Sequence, residues 1–179
     1  EKLKSLQLNI NTADTNVILG DKCILLYGDS FINDTLCGID IRLSPLSFYQ
    51  VNREMAEQLY LKAAEYACPD GKVILDLYCG AGTIGLSMAH RAGRIIGVEI
   101  VPQAVEDARF NAKSNKIGNA EFICADAADA AKQLAERKVM PDVVIVDPPR
   151  KGCDEQLLIT VTKDFRPERL VYISCDPAT

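Results

Sequence analysis

The residues with the clearest chemical potential are four carboxylates, each of which ends a short apolar run or follows it closely: Asp76, Glu99, Asp126 and Asp147. In open α/β sheets, ligands bind beyond the carboxyl ends of the strands. If these runs are strands of one sheet, the four side chains meet at one edge. An acidic crevice of this kind attracts cations and repels phosphate groups. The sequence therefore predicts a positively charged ligand.

A glycine-rich turn follows the first carboxylate at residues 80–85, which read Gly-Ala-Gly-Thr-Ile-Gly. This string fits G-x-G-x-x-G, in which glycines allow a ligand to approach the backbone and a helix N-terminus closely. Asp76 argues against a dinucleotide, because its carboxylate would repel a pyrophosphate in the same crevice. S-Adenosylmethionine carries an ammonium and a sulfonium, so it suits this crevice, with Gly80 as a predicted contact.

Three further positions indicate how such a cofactor would be held. Glu99 follows Asp76 by 23 residues, and an acidic side chain at an offset of about 20 residues accepts hydrogen bonds from a ribose diol. Tyr78 follows the first strand, where its ring either packs on the cofactor or joins the core. Asp126 either accepts a hydrogen bond from the adenine amino group or caps the helix that follows.

Two segments late in the chain favour a planar substrate. In residues 147–150, Asp-Pro-Pro-Arg, the prolines fix the backbone and remove two N–H donors, which leaves an apolar wall for a base. Arg150 and Lys151 either contact RNA phosphates or form a solvated basic pair. Cys175 ends a predicted strand, where a thiolate would face the crevice, whereas the other six cysteines are predicted to be small buried apolar residues.

Composition restricts the class of protein. The chain has 179 residues, of which 48% are hydrophobic and 25% charged, as is typical of one globular domain. Its seven cysteines form no C-x-x-C pair and it has one histidine, so no disulfide framework, zinc site or iron–sulfur site is indicated. No apolar run approaches the about 20 residues of a membrane span, so we expect a cytoplasmic protein. The net charge of −5 leaves attraction to RNA to local patches.

The elements that position these residues alternate between strands and helices from residue 47 onward. Strands are predicted at 73–77, 95–98, 122–124, 143–146 and 170–173. Such alternation predicts an α/β fold with a doubly wound, mostly parallel sheet and right-handed crossovers.

Two predictions concern the part of the chain before this sheet. A helix of about 15 residues is predicted after an N-cap at Asn52. Its buried face is predicted to comprise Val51, Met55, Leu59 and Ala63. Residues 1–46 alternate between short apolar and polar runs, so they are expected to form a β-rich segment separate from a domain at 47–179.

Four segments together resemble the RNA (uracil-5-)-methyltransferase family, which modifies uridines in ribosomal and transfer RNA. They are residues 43–52 (LSPLSFYQVN), 76–83 (DLYCGAGT), 146–152 (VDPPRKG) and 172–179 (YISCDPAT). The resemblance implies a Rossmann-like class I methyltransferase that uses S-adenosylmethionine. It also implies roles for individual residues: the nucleophile is Cys175, and the cofactor contacts are Gln50, Tyr78, Glu99, Asp126 and Asp147.

The resemblance implies a covalent mechanism in which the Cys175 thiolate adds to carbon 6 of uracil and carbon 5 then attacks the methyl group. A base removes the proton from carbon 5 and the thiol leaves. The target base must leave its stack, which is easiest in loops and single-stranded RNA. The family's N-terminal β-barrel, its cluster-binding cysteines and the stretch with its glutamate base have no counterpart here. We therefore expect a fragment cut at both ends, which binds cofactor and turns over poorly.

Two other functions stay open. An amino-methyltransferase would hold an exocyclic amine in the Asp-Pro-Pro loop, and Cys175 would then be structural. A non-catalytic domain would hold the cofactor or RNA as part of an assembly. Methyl transfer that survives Cys175→Ala would favour the first, and loss of methylation in Asp147→Ala would exclude the second.

Overall fold

The structure is a computed structural model that describes residues 3–12, 18–20 and 22–174. The strands described are β1 (Ser5–Ile10), β2 (Lys22–Gly28), β3 (Ile32–Leu36), β4 (Ile39–Leu43), β5 (Val73–Leu77), β6 (Arg94–Glu99), β7 (Ala120–Cys124), β8 (Val143–Val146) and β9 (Arg169–Tyr172). The helices described are α1 (Arg53–Ala67), α2 (Thr83–Met88), α3 (Pro102–Ser114), α4 (Ala127–Glu136) and α5 (Glu155–Ile159), which continues as a π-helical segment, Thr160–Phe165. Cys175, the predicted nucleophile, lies outside the described residues.

A parallel five-stranded sheet in the order β7-β6-β5-β8-β9 forms the centre of the molecule. From β5 the chain builds outward through β6 and β7, then returns to the other side of β5 to form β8 and β9. The order therefore reverses between β5 and β8, and ligands of doubly wound sheets bind at such a reversal. This topology confirms the predicted doubly wound parallel sheet.

The central strand β5 is buried on both faces by helices. Ile74 belongs to an apolar layer that includes residues of α1 and α2, and Leu75 to a second layer that includes residues of α4 and α5. Both side chains are at most 1% exposed. Because side chains alternate along a strand, Asp76 points to the same face as Ile74. This direction puts a carboxylate beneath the start of α2.

Helix α1 begins where it was predicted to begin, but it buries a different face. Asn52 Oδ1 accepts a hydrogen bond from Met55 N at 3.2 Å and so caps the helix. Val51, Met55 and Leu59 are 97%, 57% and 38% exposed, so the prediction that they are buried was wrong, whereas the predicted burial of Ala63 (3% exposed) is confirmed. The buried residues are Ala56, Tyr60, Ala63 and Ala67. Alanines on this face let the helix axis approach the sheet closely, as dense packing requires.

The N-terminal part of the chain forms two antiparallel strand pairs, β1 with β2 and β3 with β4. This finding confirms the predicted β-rich segment. The β3–β4 pair buries Leu36, Ile41 and Leu43 in the same apolar layer as Ile74. The hairpin therefore packs directly on the helices that cover one face of the central sheet.

The cysteines depart from their predicted burial. Of the six in the described part, Cys79 is buried, whereas Cys68 and Cys124 are exposed. Cys68 ends α1 with a left-handed backbone (φ 46°), where its side chain leaves the core. Cys124 is the last residue of the edge strand β7. The prediction that all six are buried was therefore wrong, because it took residue type alone as the guide.

None of the helices in the described ranges is long and apolar enough to cross a membrane.

Candidate cofactor site

Asp76 lies at the carboxyl edge of the sheet, and its side chain is buried (1% exposed). Its Oδ2 accepts a hydrogen bond from Gly85 N at 2.9 Å, whereas Oδ1 is buried and has no partner among the described residues. Burial raises the pKa of Asp76 to about 7; the Gly85 hydrogen bond opposes the rise, and the Asp147 and Glu99 carboxylates add to it. A buried acceptor without a donor is costly, so Oδ1 is well suited to an ammonium or N–H donor.

The turn between β5 and α2 has a left-handed backbone at Tyr78, Gly80 and Gly82, with φ of 62°, 55° and 79°. A Cβ at Gly82 would lie 2.9 Å from a ring carbon of Phe122, so packing against β7 requires a glycine there. A Cβ at Gly80 would meet nothing within 4 Å. Gly80 therefore leaves the backbone open at the edge where ligands of such sheets bind.

Glu99, the last residue of β6, is held by two backbone N–H groups. Its Oε2 accepts a hydrogen bond from Gly80 N at 3.0 Å, and its Oε1 accepts one from Val101 N at 2.8 Å. These bonds fix the carboxylate against the glycine turn. Each carboxylate oxygen can accept a second hydrogen bond, so Glu99 still has acceptor capacity for a pair of hydroxyl groups.

Asp147 follows β8 and completes a group of three carboxylates with Asp76 and Glu99. Its backbone N donates to Leu77 O at 3.4 Å, which places it beside the end of β5. Its side chain is half-buried, and burial raises the pKa of Asp147 to about 6. The predicted acidic edge is therefore present for these three residues. Its negative charge grows as pH rises through the range from 6 to 7.

Asp126 and Tyr78 occupy positions with a structural role. Asp126 Oδ1 accepts hydrogen bonds from Ala128 N at 2.8 Å and Asp129 N at 3.3 Å, so this side chain caps α4. Of its two predicted roles, capping is the one that this geometry provides. Tyr78 is half-buried against the apolar layer that includes residues of α4, and burial raises the pKa of its phenol to about 12. Its cofactor contact, like that of Asp126, stays a prediction.

Gln50 lies between β4 and α1 and is half-buried. Its neighbour Tyr49 donates a hydrogen bond to Asp34 Oδ2 at 2.7 Å, which ties this segment to β3. Within the described part of the chain, Gln50 makes no hydrogen bond to the three carboxylates. Its role as a cofactor contact therefore stays a prediction.

Tyr60, which was not predicted as a site residue, joins α1 to the start of α2. Its hydroxyl lies 3.0 Å from Thr83 Oγ1, and the residue is 4% exposed. Burial raises the pKa of Tyr60 to about 12, the Thr83 hydrogen bond opposes the rise, and Asp147 and Asp76 add to it. Tyr60 is thus a neutral hydroxyl near the acidic edge. A signal for its burial was present in the sequence, because Tyr60 shares one face of α1 with the alanines. The hydrophobic pattern favoured the face with larger apolar side chains instead.

Asp107 and Asn111 of α3 were also missed, although both are 0% exposed. Their partners are backbone and side-chain groups of β4 and of the segment that follows it, and Asn111 also donates to Ala81 O in the glycine turn. The described residues contain no group of three or more His, Cys, Asp or Glu side chains arranged to hold a metal ion.

Comparison with known proteins identifies relatives along nearly the whole chain. A sequence model of the tRNA (uracil-5-)-methyltransferase family matches residues 38–179. Among curated proteins, an uncharacterized RNA methyltransferase of Staphylococcus aureus (strain MSSA476) is 49% identical over 176 residues, and one of Bacillus cereus (strain ATCC 10987 / NRS 248) is 48% identical over 179. The alignments cover 98% and 99% of this chain but 39% of each relative. The chain therefore spans about two fifths of the length of these relatives.

Solved structures share the fold. The crystal structure of Pyrococcus abyssi tRNA (uracil-54, C5)-methyltransferase in complex with S-adenosyl-L-homocysteine superposes with a TM-score of 0.79 at 32% identity. That match covers 99% of this chain and 42% of the other. A SAM-dependent methyltransferase from Agrobacterium tumefaciens has a TM-score of 0.64 at 16% identity, covers 87% of this chain and 57% of the other, and supports the fold alone.

Proposed function

Because this chain belongs to the tRNA (uracil-5-)-methyltransferase family, we propose that the protein containing it transfers a methyl group from S-adenosylmethionine to carbon 5 of a uridine in transfer or ribosomal RNA. The observation that carries this proposal is the group formed by Asp76, Glu99 and Asp147 at the strand-order reversal of the sheet. Three carboxylates there favour a ligand with an ammonium and a sulfonium over a nucleotide with phosphates.

The residues present fit this cofactor in three ways. Asp76 Oδ1 is a buried acceptor with no partner among the described residues. Gly80 leaves open space beside the glycine turn. Glu99 is oriented by two backbone N–H groups and has acceptor capacity for a ribose diol. When bound, S-adenosylmethionine would supply the electrophilic methyl group.

We assign the other predicted contacts within the same proposal. Tyr78 would pack its ring on the cofactor. Asp126 would accept a hydrogen bond from the adenine amino group, since capping occupies its Oδ1 and its second oxygen remains available. Gln50 and Asp147 would contact the amino-acid part, for which an amide and a half-buried carboxylate are suitable partners.

Cys175 is the proposed nucleophile, and the pairing of the last two strands supports this assignment. Val146 pairs with Tyr172, and Ile173 N donates to Val146 O at 2.9 Å. The chain therefore leaves β9 at the edge where Asp147 lies, and Cys175 follows the end of β9 by three residues in the sequence. A thiolate that adds to carbon 6 of uracil makes carbon 5 nucleophilic. After methyl transfer, a base removes the proton from carbon 5 and the thiolate is eliminated.

RNA in which 5-fluorouracil replaces uracil tests this proposal. With fluorine at carbon 5, there is no proton for the base to remove after methyl transfer, so the thiolate cannot be eliminated. The cysteine adduct should therefore persist and appear as an RNA–protein complex in a denaturing gel. The wild-type full-length protein and Cys153→Ala, the matched control in the loop after Asp147, should form the adduct with S-adenosylmethionine present. Cys175→Ala should form none. An adduct with Cys175→Ala would contradict the assignment of the nucleophile.

Methylation of unmodified RNA separates the alternatives. Tritium from the methyl group of the cofactor should be recovered in 5-methyluridine after digestion of the RNA. Recovery in a base with a methylated exocyclic amine would identify an amino-methyltransferase instead. Methylation that Asp147→Ala abolishes would exclude a domain that only binds.

We also propose that the protein acts in the cytoplasm. The six cysteines in the described part of the chain carry free thiols, as is usual in a reducing compartment. Its proposed RNA substrates are consistent with this location.

A further inference from the structure

Two asparagines of α3 pair with β4 as a neighbouring strand would. Asn115 Oδ1 accepts a hydrogen bond from Asp40 N at 2.9 Å, and its Nδ2 donates to Asp40 O at 2.7 Å. Asn111 Oδ1 accepts from Arg42 N at 2.7 Å, and its Nδ2 donates to Arg42 O at 3.2 Å. Because β4 pairs with β3 along one edge, these amides supply the partners along its other edge.

Asn111 also reaches the glycine turn. Its Nδ2 donates to Ala81 O at 3.2 Å in addition to Arg42 O. The side chain is 0% exposed, so water does not compete for its donor and acceptor groups. One amide therefore joins β4 to the turn that includes Gly80.

Asp107, one helical turn before Asn111, holds the segment that follows β4. Its carboxylate accepts hydrogen bonds from Ser44 N at 2.8 Å, Ser44 Oγ at 2.9 Å and Ser47 Oγ at 2.8 Å. Arg42 pairs with the same carboxylate at 3.0 Å. Asp107 is 0% exposed, and a buried charge persists only when it is fully paired in this way. Ser47 lies three residues before Gln50.

We infer that Asp107 and Asn111 are positioning residues, which hold the Gln50 segment and the glycine turn in one fixed relation before the cofactor binds. The inference rests on the proposed function, because Gln50 and Gly80 are proposed contacts of that cofactor. These two residues are 30 positions apart in the sequence. Without the α3 contacts, the cofactor would have to order the two segments when it binds. The free energy that this ordering costs would weaken its affinity.

The test measures the dissociation constant of S-adenosyl-L-homocysteine by calorimetry with the full-length protein. Asp107→Asn removes the charge that pairs with Arg42, and Asn111→Asp replaces the donor to Ala81 O with an acceptor. Each should raise the dissociation constant about tenfold, which corresponds to about 1.4 kcal/mol. Ser47→Ala removes a single hydrogen bond to Asp107 and should raise it about threefold.

Asn115→Ala is the matched control, because Asn115 pairs with β4 in the same way but contacts neither the glycine turn nor the serine segment. It should lower the unfolding temperature and leave the dissociation constant within about twofold of wild type. All dissociation constants are compared at a temperature at which circular dichroism shows each variant to be folded. If Asp107→Asn does not fold, Ser47→Ala decides the result.

A double variant distinguishes positioning from a general loss of structure. If Asp107 acts through the segment of Gln50, then Asp107→Asn combined with Gln50→Ala should bind no more weakly than the weaker single variant. Additive losses, or no loss with Gln50→Ala, would overturn the inference. So would dissociation constants for Asp107→Asn, Asn111→Asp and Ser47→Ala that equal the wild-type value, and in that case the proposed function would stand. Failure of the wild-type protein to bind would overturn both.

Discussion

Replacing Asp76 with asparagine should remove a large pH dependence from the stability of the chain. Burial raises the pKa of Asp76 from 3.8 to about 7. Between these values the folded chain keeps a proton that the unfolded chain releases, so this group makes the free energy of unfolding fall as pH rises. At 1.36 kcal/mol for each pKa unit, Asp76 lowers the free energy of unfolding by about 4 kcal/mol at pH 8 and by less than half of that at pH 5.

Urea unfolding at pH 5 and pH 8, at one ionic strength, measures this effect. Asparagine keeps an oxygen for Gly85 N and does not titrate. The free energy of unfolding of Asp76→Asn minus that of wild type should therefore increase by about 2–3 kcal/mol when the pH rises from 5 to 8. Glu121→Gln changes an exposed carboxylate of β7 and should keep the wild-type pH dependence. If Asp76→Asn shows the wild-type pH dependence as well, then burial does not keep this carboxyl protonated, and the reasoning is refuted.

Three other outcomes are expected. Gly85→Ala should lower the free energy of unfolding, measured in urea, by about 1–3 kcal/mol, because the new Cβ would lie 2.9 Å from Asp76 Oδ2. Gly118→Ala is the control, because a Cβ at that position would meet nothing within 4 Å. Equal stability of the two variants would contradict the predicted clash. Glu99→Gln should raise the dissociation constant of S-adenosyl-L-homocysteine about tenfold by calorimetry, whereas Glu121→Gln should leave it unchanged. Affinity for the same ligand should rise from pH 5 to pH 8, because its ammonium favours the ionised forms of Asp76 and Asp147, whose pKa values are raised to about 7 and about 6. Calorimetry in two buffers with different ionisation enthalpies should record proton release on binding. An affinity that does not depend on pH would contradict an ammonium beside these carboxyl groups.

The strands β5, β6 and β8 at the centre of the sheet were predictable because they are short apolar runs that are buried on both faces. Val143–Val146 was predicted with the bounds that the structure has. Periodicity was less informative for α1, since two stripes of this helix are apolar. The stripe with larger side chains includes Met55 and Leu59, which are exposed, whereas the sheet accepts the stripe of alanines with Tyr60. Choosing between them requires the shape of the surface on which the helix packs.

The acidic edge was predictable in part for the same reason, because a carboxylate that follows a buried strand must lie at the edge of the sheet. The positions of Asp76, Glu99 and Asp147 followed from the strands alone. The burial of Asp107 and Asn111 did not, since polar residues four apart on a helix are typical of a solvent-exposed face. Their partners lie 30 to 69 residues earlier in the chain, and no local pattern identifies contacts over such a separation.

The pairing of α3 with β4 has a consequence for behaviour in concentrated solution. An uncovered strand edge is a template on which other molecules add strands and aggregate. Asn111 and Asn115 occupy the outward N–H and C=O groups of Arg42 and Asp40, so the β4 edge of the hairpin offers little for a second molecule to extend. Two asparagines four residues apart on one helix thus prevent the addition of strands from other molecules along β4.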